Sequence, residues 1–414
     1  MCNRYSFSAY AATIVLAACG GSQPTIATTP DGTRLSAQNW TESASDLRRA
    51  ANGHRTLYVF KGSPGGATPY APLLYSDGAL YGTTLRGGAH DAGTVFTITR
   101  AGNERVLHNF GGKLDGSEPY AGLVAIDGTL YGTTSAGGAY ANLGTVFSIT
   151  PSGKERVLHS FGQQRDGARP LAALTAFDGV LYGTTASGGA YGDGTVFSIT
   201  APGRERVLYS FGASSDDGQD PTSSLVVLNN VLYGVTYSGG SSAYGDCDEA
   251  YGCGTVFSVN RSGKEGIVYR FLGPFKDDGA YPYGGLIALN GVLYGTTTLG
   301  GQPDFGTAFA VTTSGAETIL HAFIDKDVDG ANPFDALTEA DGDLYGTTET
   351  GGATGYGTVF KLTTSGQEQV IYAFRDRRDG KSPYAPLSNV DGLLYGTTSA
   401  GGKAGAGVIF RILP

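Results

Sequence analysis

One five-residue word constrains this chain more than any other feature. Leu-Tyr-Gly-Thr-Thr begins at Leu80, Leu130, Leu181, Leu293, Leu344 and Leu394, and at Leu232 with Val235 in place of the first Thr. A second word, Gly-Thr-Val-Phe, begins at Gly93, Gly144, Gly194, Gly254 and Gly357, with variants at Gly306 and Gly407. A Phe recurs at 60, 110, 161, 211, 271, 323 and 374, and a Pro at 69, 119, 170, 221, 282, 333 and 383. A Gly-Gly pair follows every copy of the first word, from Gly87-Gly88 to Gly401-Gly402. Self-similarity at about 50 residues means one supersecondary unit that buries its apolar face only against its neighbours.

Each unit offers four short β-rich runs. In the second copy strand a is Gly122 to Ile126, strand b Thr129 to Thr134, strand c Thr145 to Thr150 and strand d Glu155 to Phe161. Asp-Gly or Asn-Gly joins strands a and b in six copies, as at Asp127-Gly128, and supplies the positive-φ residues of a tight hairpin. Four antiparallel strands per unit around an axis make an all-β, seven-bladed β-propeller. The 67 Gly, 25 Tyr and 19 Phe fit short strands and tight turns, and 40% hydrophobic residues supply a large core.

The spacings separate two faces. Pro to the Leu of Leu-Tyr-Gly is 11 positions in every copy, and Gly-Thr-Val-Phe to the Phe of strand d is 17 wherever both occur, so both hairpins are fixed. The d–a connection runs 9, 9, 9, 10, 11, 10 and 9, and the b–c connection 13, 14, 13, 22, 13, 13 and 13. These two loops leave an up-and-down blade on the same face. Variable loops on a rigid scaffold are where binding concentrates. Pro414 follows the seventh strand c (Val408 to Leu413), while Thr56 to Phe60 matches a strand d ahead of blade one. The N-terminal strand is therefore expected to close the last blade and hide its edge.

Residues 1–18 read as a signal peptide: Arg4, then an apolar stretch too short to span a bilayer, then Leu16-Ala17-Ala18-Cys19. That ending resembles the bacterial lipobox, which implies lipidation of Cys19. The expectation is a protein exported to the cell envelope and lipid-anchored at the outer membrane or cell surface, meeting the membrane through that lipid alone. Residues 19–55, rich in Ser, Thr, Gly and Ala, read as a flexible tether, and 56–414 as the propeller. A formal charge of −9 and no large basic cluster exclude a nucleic-acid partner.

The Leu-Tyr-Gly-Thr-Thr, Gly-Gly and Gly-Thr-Val-Phe pattern, with its Gly-x-Glu turn, resembles the GloVer tandem-repeat proteins over residues 56–414. The resemblance implies an exported bacterial propeller with no assigned activity, so no catalytic residue is carried over. In strand order the blades also resemble kelch, whose characteristic Trp is missing.

Four features invite chemistry. Asp115, Asp166, Asp217, Asp278, Asp329 and Asp379 each precede Gly in a d–a loop. They are expected to ring the channel mouth, as a cation site or as turn residues, and repetition in nearly every copy favours turns. His108, His159 and His321 share one repeat position with Tyr58, Tyr209, Tyr269 and Tyr372, which favours packing over catalysis. Asp325, Asp327 and Asp329 before Gly330 have the spacing of a calcium loop; the twelfth position holds Ala336 instead of Glu, and Asp335 is a possible substitute. The long b–c loop of blade four holds Cys247 and Cys253, expected to form a disulfide in an exported protein. With Tyr244, Asp248, Glu249 and Tyr251 it forms the expected recognition element, for a glycan or a protein. A hydrolase or lyase at the channel mouth, using Arg165, Arg169, Lys276, Arg375 or Arg377, and a structural envelope protein stand as alternatives. No cofactor other than calcium is implied.

Overall fold

The computed structural model describes residues 53–163, 165–241, 247, 252–325 and 328–414. It is a seven-bladed propeller of four-stranded antiparallel sheets. In blade two the strands are a, Val124–Ile126; b, Thr129–Thr134; c, Thr145–Ile149; and d, Glu155–Ser160. Strand a is shorter than expected because residues 119–123 turn toward the axis instead of pairing. Blade seven takes strand d from the other end of the chain: His54–Val59 pairs with Val408–Ile412. Among the described residues no helix is long and apolar enough to cross a membrane.

The repeated words are packing rules. In the second blade a Cβ on Gly132 would stand 2.6 Å from Cζ of Phe147, so the Phe of Gly-Thr-Val-Phe lies flat over the Gly of Leu-Tyr-Gly. Gly132→Ala forces one of them to move and is expected to cost about 1–3 kcal/mol. Urea unfolding checks this, and an unchanged midpoint would remove the packing account of the word. Gly144 has φ +100° and abuts Pro170 of the next blade. The hydroxyls of Thr134 and Thr145, from the two words, meet at 2.8 Å in the buried interior.

Apolar burial lies between blades. A typical cluster joins Tyr131, Val146 and Phe161 of blade two to Leu174, Leu181 and Phe197 of blade three. Phe161 and Phe197 meet edge to face at 5.2 Å. In the six copies that keep it, the first Thr of the word stitches strand b to the next blade, as Thr133 donates to the Ala172 carbonyl at 3.1 Å. Across the chain ends the same stitch is Thr397 to Ala71 at 3.2 Å, so the ring closes with its ordinary contacts.

The structure adds a feature the spacing did not predict. The d–a and b–c loops pair with each other in two-residue ladders, such as Gly116–Ser117 with Ala136–Gly137. In blades two to six the Gly after the loop Asp pairs with the first Gly of the Gly-Gly pair in this ladder, as Gly167 with Gly188. The variable face thus has a pinned base beneath its loops.

Candidate functional site

Two sets of ionisable residues lie on the loop face. The repeated Asp residues form the outer set. Asp217 accepts from the Tyr209 hydroxyl (2.9 Å) and from the backbone N–H groups of Gly212, Ala213 and Gly218. Asp166 meets Nε2 of His159 at 2.9 Å and accepts from Gly167 N–H at 2.7 Å. These carboxylates hold the d–a bend against strand d. They do not ring the channel mouth, because strand d is the outermost strand and its ring residue captures them there.

Six of the seven joints also receive a Glu from the next blade; at the seventh, His54 takes its place. The donor atoms of His159, Asp166 and Glu205 lie within 4.8 Å of one another, as do those of His108, Asp115, Glu155 and of His321, Asp329, Glu368. At the joints built on Tyr209 and Tyr269, Glu265 and Glu317 stand in the same relation to the loop Asp. The Glu therefore belongs to the joint whether or not an imidazole is present, which makes the cluster part of the scaffold. Glu155 is pushed up to about 7, chiefly by burial and then by the charge of Asp115, while His108 pulls it down. A carboxyl whose folded pKa exceeds its unfolded value weakens the fold once pH passes the unfolded value. For Glu155 that window runs from about 4.5 to about 7. Glu155→Gln is expected to raise the melting temperature at pH 8 and to change it little at pH 4. Equal shifts at the two pH values would contradict the burial of a raised-pKa carboxyl at this joint.

The inner set surrounds the axis. Residues from the three positions after each repeated Pro line a central cavity of about 70 Å³, the full triplet in blades one to four and one or two residues in the others. The first of the three is aromatic in five blades: Tyr70, Tyr120, Tyr283, Phe334 and Tyr384. These half-buried rings form a crown, with Tyr70 against Tyr120 at 5.0 Å and against Tyr384 at 4.9 Å. Phe334 bridges Tyr384 (5.0 Å) and Tyr283 (5.6 Å). Leu171 and Thr222 leave the crown open at blades three and four. Across that gap Tyr120 hydrogen-bonds Tyr283, and burial raises the pKa of both phenols. Tyr384 donates to Glu349 of a b–c loop.

Beneath the crown lies Asp335. Burial pushes its carboxyl up to about 8, against which the backbone N–H of Ala336, donated to Oδ1 at 2.7 Å, pulls only partly. Asp335 is half-buried, and it borders the cavity. The oxygens of Asp329 are engaged by His321, Ile324 N–H and Gly330 N–H, and Asp325 pairs through its backbone with Gly330. Asp327 lies outside the described residues.

Cys247 and Cys253 are joined as a disulfide with Cα atoms 5.3 Å apart. Cys253 is buried and Cys247 packs on the cluster between blades four and five, so the long loop is rooted in the core. Tyr244, Asp248, Glu249 and Tyr251 lie outside the described residues, as does Cys19. Of the arginines, Arg165 and Arg169 are exposed on one d–a loop. Arg375 is held by Asp379, and Arg377 borders a shallow hollow with Tyr356 and Arg378. None of these arginines lines the axial cavity. Sequence reasoning missed the crown, although aligning the seven post-proline triplets displays it.

A family model described as the Gloeobacter/Verrucomicrobia repeat matches residues 44–248 and 247–414. No curated protein sequence matches the chain. Among solved structures, PorZ, a bacterial surface component of the type-IX secretion system of Porphyromonas gingivalis, overlays with a TM-score of 0.51 at 15% identity. That overlay covers 84% of this chain and 47% of PorZ, so the chain spans about half the length of that protein. A gluconolactonase from Xanthomonas campestris overlays with a TM-score of 0.40 at 15% identity, covering 65% of this chain and 79% of its own. A luciferin-regenerating enzyme gives 0.42 at 13% identity, covering 69% and 88%. The PorZ likeness extends to the fold alone.

Proposed function

This chain belongs to the Gloeobacter/Verrucomicrobia repeat family, and from that premise we propose that it is an exported, lipid-anchored binding module whose recognition surface is the loop face of its propeller. One observation carries the reading: the chain departs from its own repeat mainly on that face. The opposite face repeats its a–b and c–d turns at fixed length in every complete copy. The loop face carries the nine-residue excess of blade four, the gap in the aromatic crown and the solitary Asp335. A scaffold under packing constraint alone has no reason to vary on one side only.

The crown supplies rigid amphipathic rings of the kind that make contacts at low conformational cost. A glycan or a protein segment suits them, with Cys19 as the tether to the envelope. A hydrolase or lyase would need a second carboxyl, a His or a Lys beside Asp335. The residues lining the cavity supply hydroxyls, rings and apolar groups instead, which favours binding over turnover.

A glycan-array screen of the full chain tests this, beside a variant whose residues 241–253 are replaced by the shorter blade-five equivalent, 302–305. Binding by the wild type that falls at least about tenfold in the variant is expected. Binding unchanged in the variant, and unchanged again when Tyr384→Ala opens the crown, would refute the assignment of the face.

A further inference from the structure

The chain contains six internal controls for Asp335. The second residue after the repeated Pro is Ala71, Ala121, Ala172, Ser223, Gly284 and Ala385 in the other blades. A small residue at this position therefore satisfies blade packing, and the fold has no need of a carboxyl there. Enclosing one is unfavourable unless a partner offsets it. Among the described residues the only group donating to the Asp335 side chain is the adjacent Ala336 N–H. Among the described residues no Lys, Arg or His lines the cavity to neutralise it.

A second departure accommodates the first. A Cβ on Gly284 would stand 2.3 Å from the carbonyl carbon of Asp335, so Gly in blade five lets the backbone of blade six approach. The cavity that Asp335 borders is also lined by Thr222 and Ser224 and by Tyr70, Tyr120 and Tyr283. Burial keeps Tyr70, Tyr120 and Tyr283 neutral. One carboxyl, a few hydroxyls and a roof of aromatic rings suit a singly charged, weakly hydrated cation, since aromatic faces attract ammonium-type ions. Calcium wants six to eight oxygens and zinc wants imidazole or thiolate, and the cavity offers neither set. A volume of about 70 Å³ holds a few water molecules or one small ammonium group.

We propose that the axial cavity binds an ammonium group, either the free ion or the protonated amine of a larger ligand, with Asp335 as its counter-ion beneath the tyrosine crown. The inference deepens the recognition-face reading and relies on it only for the route by which a larger ligand enters.

Calorimetry on the full chain in amine-free buffer tests it, with ammonium chloride, methylammonium chloride and glucosamine as probes and glucose as the neutral control. Saturable one-to-one binding of at least one cationic probe is expected, and none of glucose. Near pH 7 binding is accompanied by proton release, seen as a dependence of the heat on buffer ionisation enthalpy. Asp335→Asn, confirmed folded by its melting curve, loses at least about tenfold in affinity together with the proton release. Glucosamine binding more tightly than methylammonium identifies the amine of a larger ligand; ammonium alone identifies the free ion. No saturable binding of any cationic probe in the millimolar range, or binding untouched by Asp335→Asn, overturns the proposal. Methylammonium needs no contact with the rim loops, so a blank here leaves the glycan screen able to succeed, and the reverse holds equally.

Discussion

Starting the chain at residue 61 is expected to abolish the folded monomer. That truncation removes His54–Val59, which pairs with Val408–Ile412 along its length, and Phe60, whose N–H donates to the Gly407 carbonyl at 3.0 Å. Phe60 is fully buried beside Leu73, Leu80 and Phe96, so Phe60→Ala alone should cost about 3–5 kcal/mol. The seventh joint goes too: His54 stands where other blades place Glu and stacks on Tyr372 at 4.0 Å. The combined loss is comparable to the whole stability of an ordinary domain, roughly 5–15 kcal/mol. The bared edge of strand c is then a template for pairing with other chains. Circular dichroism melts and size-exclusion chromatography read the outcome as a lost cooperative transition and a shift to aggregates. A monomer melting within a few degrees of the full chain would show that the ring does not depend on this strand.

The second large effect concerns Asp335. Its carboxyl titrates at about 8 in the fold against an ordinary 3.8, with burial the main cause. The raised value means that the folded state holds its proton where the unfolded chain has lost it. The carboxyl therefore weakens the fold progressively from about pH 4 to about pH 8 and does so fully above that. Asp335→Asn keeps the shape and removes the charge, so it should stabilise the propeller by several kcal/mol at pH 9. At pH 4 the gain should be close to nothing. Urea unfolding in amine-free phosphate at both pH values measures the difference. Equal effects at the two pH values would mean that the fold does not hold this carboxyl protonated.

Much of this architecture was legible along the chain. Leu-Tyr-Gly-Thr-Thr and Gly-Thr-Val-Phe mark strands b and c because each word encodes a contact with the other, Gly132 beneath Phe147 and Thr134 against Thr145. The unmatched strand at Thr56 to Phe60 announced the closure. Spacing failed where contacts cross blades. The loop Asp residues were expected at the axis, but nothing in a d–a loop's length says which end holds its carboxylate. The ring two positions before the Phe of strand d decides that, through bonds such as Tyr209 to Asp217. Along the chain Asp335 stands out only as a possible substitute for the missing Glu of a calcium-type loop. Its neighbours on the axis are Tyr70, Tyr120, Thr222 and Tyr283, each supplied by a different blade. A site assembled from seven distant triplets is invisible to reading in order and plain when the copies are compared.

The most direct test of the central claim, that the loop face is the recognition surface, is a matched pair of variants in one binding assay. One carries Tyr384→Ala with residues 241–253 shortened; the other alters the opposite face at Asp127, Ser152 and Lys154, in the a–b and c–d turns. Both are scored against whatever ligand the full chain retains in the glycan screen. The account predicts loss of binding in the first and full binding in the second. Binding retained by the first and lost by the second would contradict it.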